Sequence, residues 1–179
     1  YYFTYGNTLF MMLNTQDTNA AEHKQFMEQA IAANPSCTWR VVTLHQDIYG
    51  SAEHSNEPEI TNLRYTLVPY FEANDVDVVL TGHDHAYSRT HILEGGHKTV
   101  EYTDDEFDAE LKKDMDAGEN PATRYEAPAN ISADSREPAD VAYLNYLNAV
   151  MDKEAVEDTE KGETVVNPDG ILYMTANSS

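Results

Sequence analysis

The chain has 179 residues, a formal net charge of −21 at pH 7 and a pI of about 4.4. Nucleic-acid phosphates and anionic membrane surfaces are bound through clusters of lysine and arginine, and the 11 such residues of this chain form no basic cluster. The composition therefore argues against nucleic acid and membrane as partners, and an anionic substrate would need a local positive centre such as bound metal ions.

Alternating strands and helices are predicted over the first part of the chain. Residues 1–5 are strand-like, have no initiator methionine and lack the pattern of a signal peptide, so we expect the sequence to be cut from a longer protein. The apolar run 8–14 is typical of a buried strand. Residues 20–33 have apolar side chains at helical spacing, and Asn34-Pro35 ends that helix. Residues 39–44 are rich in β-branched side chains and predict the next strand.

A second helix and two more strands follow a polar loop. Residues 60–73 are amphipathic, and 76–80 form a short apolar run typical of a buried strand. Another strand is predicted at 87–93, with a turn at Gly95-Gly96. The order strand, helix, strand, helix, strand predicts an α/β layer structure. Cys37 is the single cysteine, which rules out an internal disulfide and a cysteine-based zinc site.

The composition changes between about residues 97 and 170, where most of the acidic residues lie. Helices are predicted at 105–116 and 139–153, separated by a link rich in Pro, Ala and Ser. We interpret 97–170 as an acidic helical insertion within one partial domain that spans 1–179. It either packs on one edge of the domain or forms a partly mobile lid, and the chain then returns to a strand at 171–175.

Two groups of histidines follow predicted strands. His45 comes directly after the strand at 39–44, and His83 and His85 come shortly after the next strand. Sites in α/β sheets form outside the carboxyl ends of strands, so we expect both groups at one edge of the sheet, on neighbouring strands. Two imidazoles two residues apart point to the same side of an extended segment, and neutral imidazole suits Zn, Fe and Mn ions. Gly82 is expected to permit the sharp exit from the strand.

The residues around these histidines resemble two motifs of the calcineurin-like metallophosphoesterases, and of their purple-acid-phosphatase branch in particular. Residues 82–89, Gly-His-Asp-His-Ala-Tyr-Ser-Arg, resemble that branch's terminal motif Gly-His-x-His-x-Tyr-Glu-Arg. Residues 44–50 resemble its preceding motif, in which a strand ends in histidine and a tyrosine follows. The resemblance covers about 1–94 and 170–179. It implies the C-terminal half of a metallophosphoesterase α/β/β/α sandwich, in which helices flank one face of a mixed sheet and the other face meets the first half.

The resemblance also implies a role for each matching histidine. His45 and His83 would bind the second, divalent metal, and His85 would bind the first metal, which is iron in purple acid phosphatases. His54, in the loop after Tyr49, corresponds to histidines that contact the substrate phosphate or protonate the leaving group. The longer protein would then hydrolyse phosphomonoesters with a metal-activated hydroxide at a two-metal site, formed by Fe with Zn, Mn or Fe.

The sequence also departs from the family pattern. Ser88 replaces the common glutamate, and Asp47 stands where proline is frequent, so that its carboxylate either tunes a ligand or faces water. The chain contains neither Gly-Asp nor Gly-Asn-His, the motifs that supply the family's carboxylate and asparagine ligands. Three imidazoles hold at most one Zn or Mn ion rather than a two-metal clamp. We therefore expect little or no turnover from this chain alone.

The sequence leaves two other functions open. The chain could be a non-catalytic module whose acidic region binds a partner or cations, with vestigial histidines. It could also be a mononuclear zinc hydrolase, for which Glu53 is the nearby candidate base. An isolated half-sandwich exposes apolar surface, so dimerisation through that sheet face is a further hypothesis. The branch implies an extracellular or cell-envelope location in a bacterium.

Overall fold

The computed structural model describes residues 1–17, 19–50, 58–95, 136 and 164–177. These residues form a mixed sheet of six strands with two helices. The strands are β1 (Tyr2–Tyr5), β2 (Thr8–Met12), β3 (Trp39–Thr43), β4 (Val78–Thr81), β5 (Tyr87–Leu93) and β6 (Ile171–Ala176), and the helices are α1 (Ala20–Ala33) and α2 (Pro58–Ala73). The strand order is β1-β2-β3-β4-β6-β5, and the four central strands are parallel. The predicted α/β class, with a mixed sheet and flanking helices, is confirmed.

Helix α1 begins and ends at the residues predicted from local signals. The Asn19 side chain caps its first turn, accepting a hydrogen bond of 3.3 Å from the Glu22 backbone N–H. Its apolar stripe is buried against the sheet at Met27 and Ala30, both 0% exposed. His23 belongs to the polar side by periodicity, yet it is buried, and its Nε2 lies 2.7 Å from the carbonyl oxygen of Asp17, which satisfies the ring nitrogen.

Helix α2 ends in a Schellman motif that turns the chain towards β4. Asp75 has the left-handed φ of +45° that the position after the cap requires. The backbone N–H groups of Val76 and Asp75 donate to the carbonyl oxygens of Phe71 and Glu72, both at 3.0 Å. Val76 and Phe71 are buried, as expected for the apolar contact that accompanies this motif.

The two faces of the sheet differ in burial. One cross-strand row, Met11, Val42, Val79 and Tyr173, is at most 2% exposed and packs in one core with both helices. Helices α1 and α2 each connect adjacent parallel strands and contribute to this same core, as expected for two crossovers of the same hand. The opposite face presents the row Phe10, Val41, Val78 and Leu172, and neither described helix covers it. The second sheet and the dimer contact expected on this face stay predictions.

Several predicted features lie outside the described residues. These are the helices at 105–116 and 139–153, most of the insertion 97–170, and the loop that carries Glu53 and His54. The division into one partial domain with an acidic insertion therefore stays a prediction. Neither α1 nor α2, the helices within the described ranges, is long and apolar enough to cross a lipid bilayer.

Candidate metal centre

The carboxyl ends of β3 and β4 bring His45 and His83 together. The two strands are parallel neighbours, as predicted, and their hydrogen bonding continues past the last strand residues. The Leu44 N–H donates to the Leu80 carbonyl oxygen at 3.1 Å, and the Gly82 N–H donates to the His45 carbonyl oxygen at 3.0 Å. The backbone on both sides is thus held in register up to the two histidines.

The two imidazoles are joined by a hydrogen bond between their ring nitrogens. His83 Nδ1 lies 3.2 Å from His45 Nε2, and the rings meet edge-on with centroids 5.0 Å apart. Two nitrogens that bind one Zn²⁺ at 2.0–2.1 Å with a tetrahedral angle are about 3.3 Å apart. The distance is that of a hydrogen bond, and it would also fit two ligands of a single ion that replaced the shared proton. His45 is exposed and His83 is half-buried at the edge of the sheet.

The other predicted site residues are not part of this pair. His85 is exposed, and within the described ranges no three His, Cys, Asp or Glu side chains form a group that could hold a metal ion. The structure thus brings His45 and His83 together without bringing His85 into a group of three with them. His54 lies outside the described residues. The metal-ligand roles of the three histidines and the phosphate role of His54 stay predictions.

The sharp exit from β4 occurs at His83 rather than at Gly82. His83 has a φ of +66°, the left-handed region that L residues other than glycine rarely adopt. A Cβ on Gly82 would lie 3.6 Å from the His45 carbonyl oxygen, which is ordinary van der Waals contact. The expectation that Gly82 permits the sharp exit from the strand is therefore wrong, since the left-handed residue is its neighbour His83. A left-handed histidine costs about 1–2 kcal/mol, and such strain clusters at functional sites.

This strain gives a testable difference between two substitutions at one position. His83→Gly is expected to be about 1 kcal/mol more stable to unfolding than His83→Ala, because only glycine adopts positive φ without strain. Urea denaturation in the presence of EDTA measures both free energies. The same pair at His45, where φ is not positive, is the control, and there alanine should be the more stable. Equal stability of the two variants at position 83 would contradict the assignment of strain.

A buried polar cluster lies beside the histidine pair. Asp47 is 2% exposed, and its Oδ1 accepts a hydrogen bond of 3.2 Å from the Thr81 hydroxyl. Thr81 Oγ1 also lies 2.8 Å from Thr175 Oγ1 on β6. Burial raises the pKa of the Asp47 carboxyl, while the neighbouring hydroxyls of Thr175 and Thr81 oppose the shift. The interpretation that Asp47 faces water is therefore wrong.

The tyrosine of the first motif, Tyr49, is partly buried and packs against the core. Tyr49 meets Tyr173 edge-on at 4.5 Å between ring centroids, and the Arg64 guanidinium lies 4.9 Å from the Tyr49 ring centroid. Arg64, which is 3% exposed, also donates from Nε to the Ile48 carbonyl oxygen. Helix α2 therefore anchors the segment that follows His45, a contact that the sequence pattern did not indicate.

A cavity of about 260 Å³ lies at the opposite end of the strands. Its lining includes Trp39 at the start of β3, Asp77 before β4 and Gly170 before β6. The histidine pair is at the carboxyl edge of the same strands, where His45 is exposed. The candidate metal centre is thus an open edge of the sheet and is separate from this cavity.

A family model and a curated relative agree with the motifs. The calcineurin-like phosphoesterase family model matches residues 1–87. An uncharacterized protein of Mycobacterium tuberculosis is 26% identical over 111 residues, 53% of this chain and 21% of that protein. Purple acid phosphatase 19 of Arabidopsis thaliana is 40% identical over 68 residues, 37% of this chain and 17% of that protein. The structure of a purple acid phosphatase from yellow lupin (Lupinus luteus) seeds aligns with 52% of this chain and 18% of that chain, at 22% identity and a TM-score of 0.42. The chain spans about a fifth of the length of the curated relatives it matches.

Proposed function

Residues 1–87 belong to the calcineurin-like phosphoesterase family, and from this premise we propose that the protein is a metal-dependent hydrolase of phosphomonoesters. The observation that carries the proposal is the His45–His83 pair, whose facing nitrogens are 3.2 Å apart at the carboxyl edge of the sheet. Both residues lie within the matched range. A monoester is favoured over a diester as substrate because residues 82–87 resemble the motif of acid phosphatases.

Each histidine has a distinct part in this proposal. His45 and His83 hold one divalent ion, His85 serves a second ion, and His54 contacts the phosphate or protonates the leaving group. The metals are Fe with Zn, Mn or Fe. When bound, such ions lower the pKa of a water molecule and offset phosphate charge. That local positive charge is needed because the chain as a whole carries −21 and repels anions.

The chain alone is proposed to be a half-site. Its sequence has no Gly-Asp and no Gly-Asn-His, so the family's carboxylate and asparagine ligands would have to come from a longer protein. Imidazoles without those ligands bind at most one Zn or Mn ion and cannot form the two-metal clamp. Turnover is then expected only from a longer protein that also contains those motifs. An extracellular or cell-envelope location is part of the same proposal.

Metal titration and a phosphatase assay test this together. After chelator treatment and dialysis, the 179-residue chain is expected to bind about one equivalent of Zn²⁺ or Mn²⁺. Its hydrolysis of p-nitrophenyl phosphate should stay at background, while the longer protein hydrolyses this monoester faster than bis(p-nitrophenyl) phosphate. Absence of metal binding would contradict the half-site, and rapid turnover by the chain alone would contradict the need for the other ligands.

The same titration separates the alternatives. Weak Ca²⁺ binding that is independent of the histidines would instead favour an acidic binding module. A mononuclear zinc hydrolase would show turnover with one Zn²⁺ bound, and that turnover would be lost on Glu53→Gln.

A further inference from the structure

We propose that Asp47 is a positioning residue that ties the segment bearing His45 to the strand end bearing His83. This inference rests on the proposed function, in which those two histidines bind one metal ion. Asp47 follows His45 by two residues, and Thr81 precedes His83 by two residues. The hydrogen bond from the Thr81 hydroxyl to Asp47 Oδ1, at 3.2 Å, therefore joins the two ligand-bearing segments directly.

The connection extends to a third strand. Thr81 and Thr175 are register partners on β4 and β6, and their hydroxyl oxygens are 2.8 Å apart. Asp47 and Thr175 are 2% and 1% exposed, so water cannot easily replace these hydrogen bonds. The ends of three strands are thus held by one buried polar cluster beside the histidine pair.

Backbone pairing alone does not hold the imidazoles in place. The Gly82–His45 backbone hydrogen bond aligns the two chains, but His83 then departs in a left-handed conformation. A small rotation of either segment would move His83 Nδ1 away from His45 Nε2. The Asp47–Thr81 bond restrains this rotation because it spans the same two segments, two residues from each ligand.

Packing alone gives no reason for a carboxyl group at this position. Asp47 Oδ2 is buried and has no hydrogen-bond partner among the described residues. A buried acceptor without a partner destabilises the folded chain, and an apolar side chain of similar size would avoid that loss. Such a side chain would, however, lack the hydrogen bond that Asp47 Oδ1 accepts from Thr81, and this bond is the reason we give for a carboxyl group here.

Four single variants of the full chain test the proposal. Asp47→Ala and Thr81→Val remove the bond and are expected to weaken Zn²⁺ affinity 10- to 100-fold, as residues that support metal ligands do. Asp47→Asn keeps an oxygen at the same place and should remain close to wild type. Asp77→Asn is the matched control, because Asp77 is a partly buried carboxyl at the other end of β4 that accepts from the Arg40 N–H at 2.7 Å. It should leave affinity unchanged.

Zn²⁺ affinity is measured by competition with a chromophoric chelator, and the visible spectrum of bound Co²⁺ reports the ligand geometry. Urea denaturation shows separately that each variant is folded. A loss for Asp47→Asn as large as for Asp47→Ala would overturn the proposal, since the charge would then matter rather than the bond. Unchanged affinity in Asp47→Ala and Thr81→Val would overturn it as well, and so would an equal loss in Asp77→Asn.

Failure of the proposed function has a different signature. If the wild-type chain binds no metal, the half-site is wrong. The positioning role of Asp47 is then tested on the metal-free chain. An NMR cross-peak between ring protons of His45 and His83 is expected in the wild type, given centroids 5.0 Å apart. Its loss in Asp47→Ala and Thr81→Val, with retention in Asp47→Asn, supports the positioning role. Its retention in all three variants overturns that role.

Discussion

The double variant His45→Ala, His83→Ala is expected to lose at least about 100-fold in Zn²⁺ affinity, because it removes both nitrogens that face the proposed ion. Replacing residues that merely support metal ligands lowers metal affinity by up to that factor, so removing the ligands themselves should lower it at least as much. In the structure these nitrogens are 3.2 Å apart and have no third His, Cys, Asp or Glu grouped with them among the described residues. Chelator competition in the presence of excess Ca²⁺ measures the affinity.

Two single variants control this result. His91→Ala removes a histidine that lines the cavity at the opposite end of the strands, and it should leave Zn²⁺ affinity unchanged. His85→Ala should also retain most of the affinity if His85 serves a different ion. The excess Ca²⁺ blocks weak cation binding to the acidic surface of a chain with a charge of −21. Wild-type affinity in the double variant would mean that Zn²⁺ binds elsewhere, and the candidate centre would be wrong.

Local signals explain why the framework of the fold could be predicted. Helix α1 was predicted at 20–33 from its apolar spacing and from Asn34-Pro35, and it begins and ends there. The Asn19 cap, seen in the structure, is a further local signal. Strand β4 begins at Val78 rather than at residue 76. The Val76 N–H belongs to the hydrogen bonds that end α2, so this apolar residue completes the helix cap before the strand starts.

The family and the pairing of the two histidines could also be predicted from the sequence. A strand followed by histidine, and a second strand followed by Gly-His-x-His, predicted both the metallophosphoesterase family and the neighbouring positions of His45 and His83. The family model confirms the first over residues 1–87, and the parallel pairing of β3 with β4 confirms the second. Parallel strands with a right-handed crossover leave few other arrangements for two such segments.

The residues that lie beside the histidine pair and hold its segments could not be predicted from the sequence in the same way. Thr81 and Thr175 are 94 residues apart in sequence and meet only because β6 pairs with β4, an order that no local pattern encodes. Asp47 lies in a polar segment with no strand or helix period to indicate its burial. The left-handed backbone was expected at Gly82 because glycine is its usual carrier, whereas the chain places it on His83.

Phe71→Ala is expected to lower the free energy of unfolding by about 3–5 kcal/mol. Phe71 is 0% exposed, belongs to the main core and occupies the helix position whose carbonyl oxygen accepts the Val76 N–H. Truncation leaves a cavity between α2 and the sheet and removes the apolar contact that accompanies the helix end. Urea denaturation followed by far-UV circular dichroism measures the change. Phe71→Leu, which keeps most of the volume, should lose much less.

Zn²⁺ connects this stability effect to the candidate centre. Phe71 lies near the start of β4, whereas the histidine pair follows its end, so folded Phe71→Ala should keep wild-type affinity for the ion. A ligand that binds only the folded state adds about 2.7 kcal/mol at 100 times its Kd. Zn²⁺ should therefore recover part of the lost stability in Phe71→Ala. It should recover none when His45→Ala and His83→Ala are added, because the site that couples binding to folding is then gone. Equal recovery in both backgrounds would place the stabilising ion away from the two histidines.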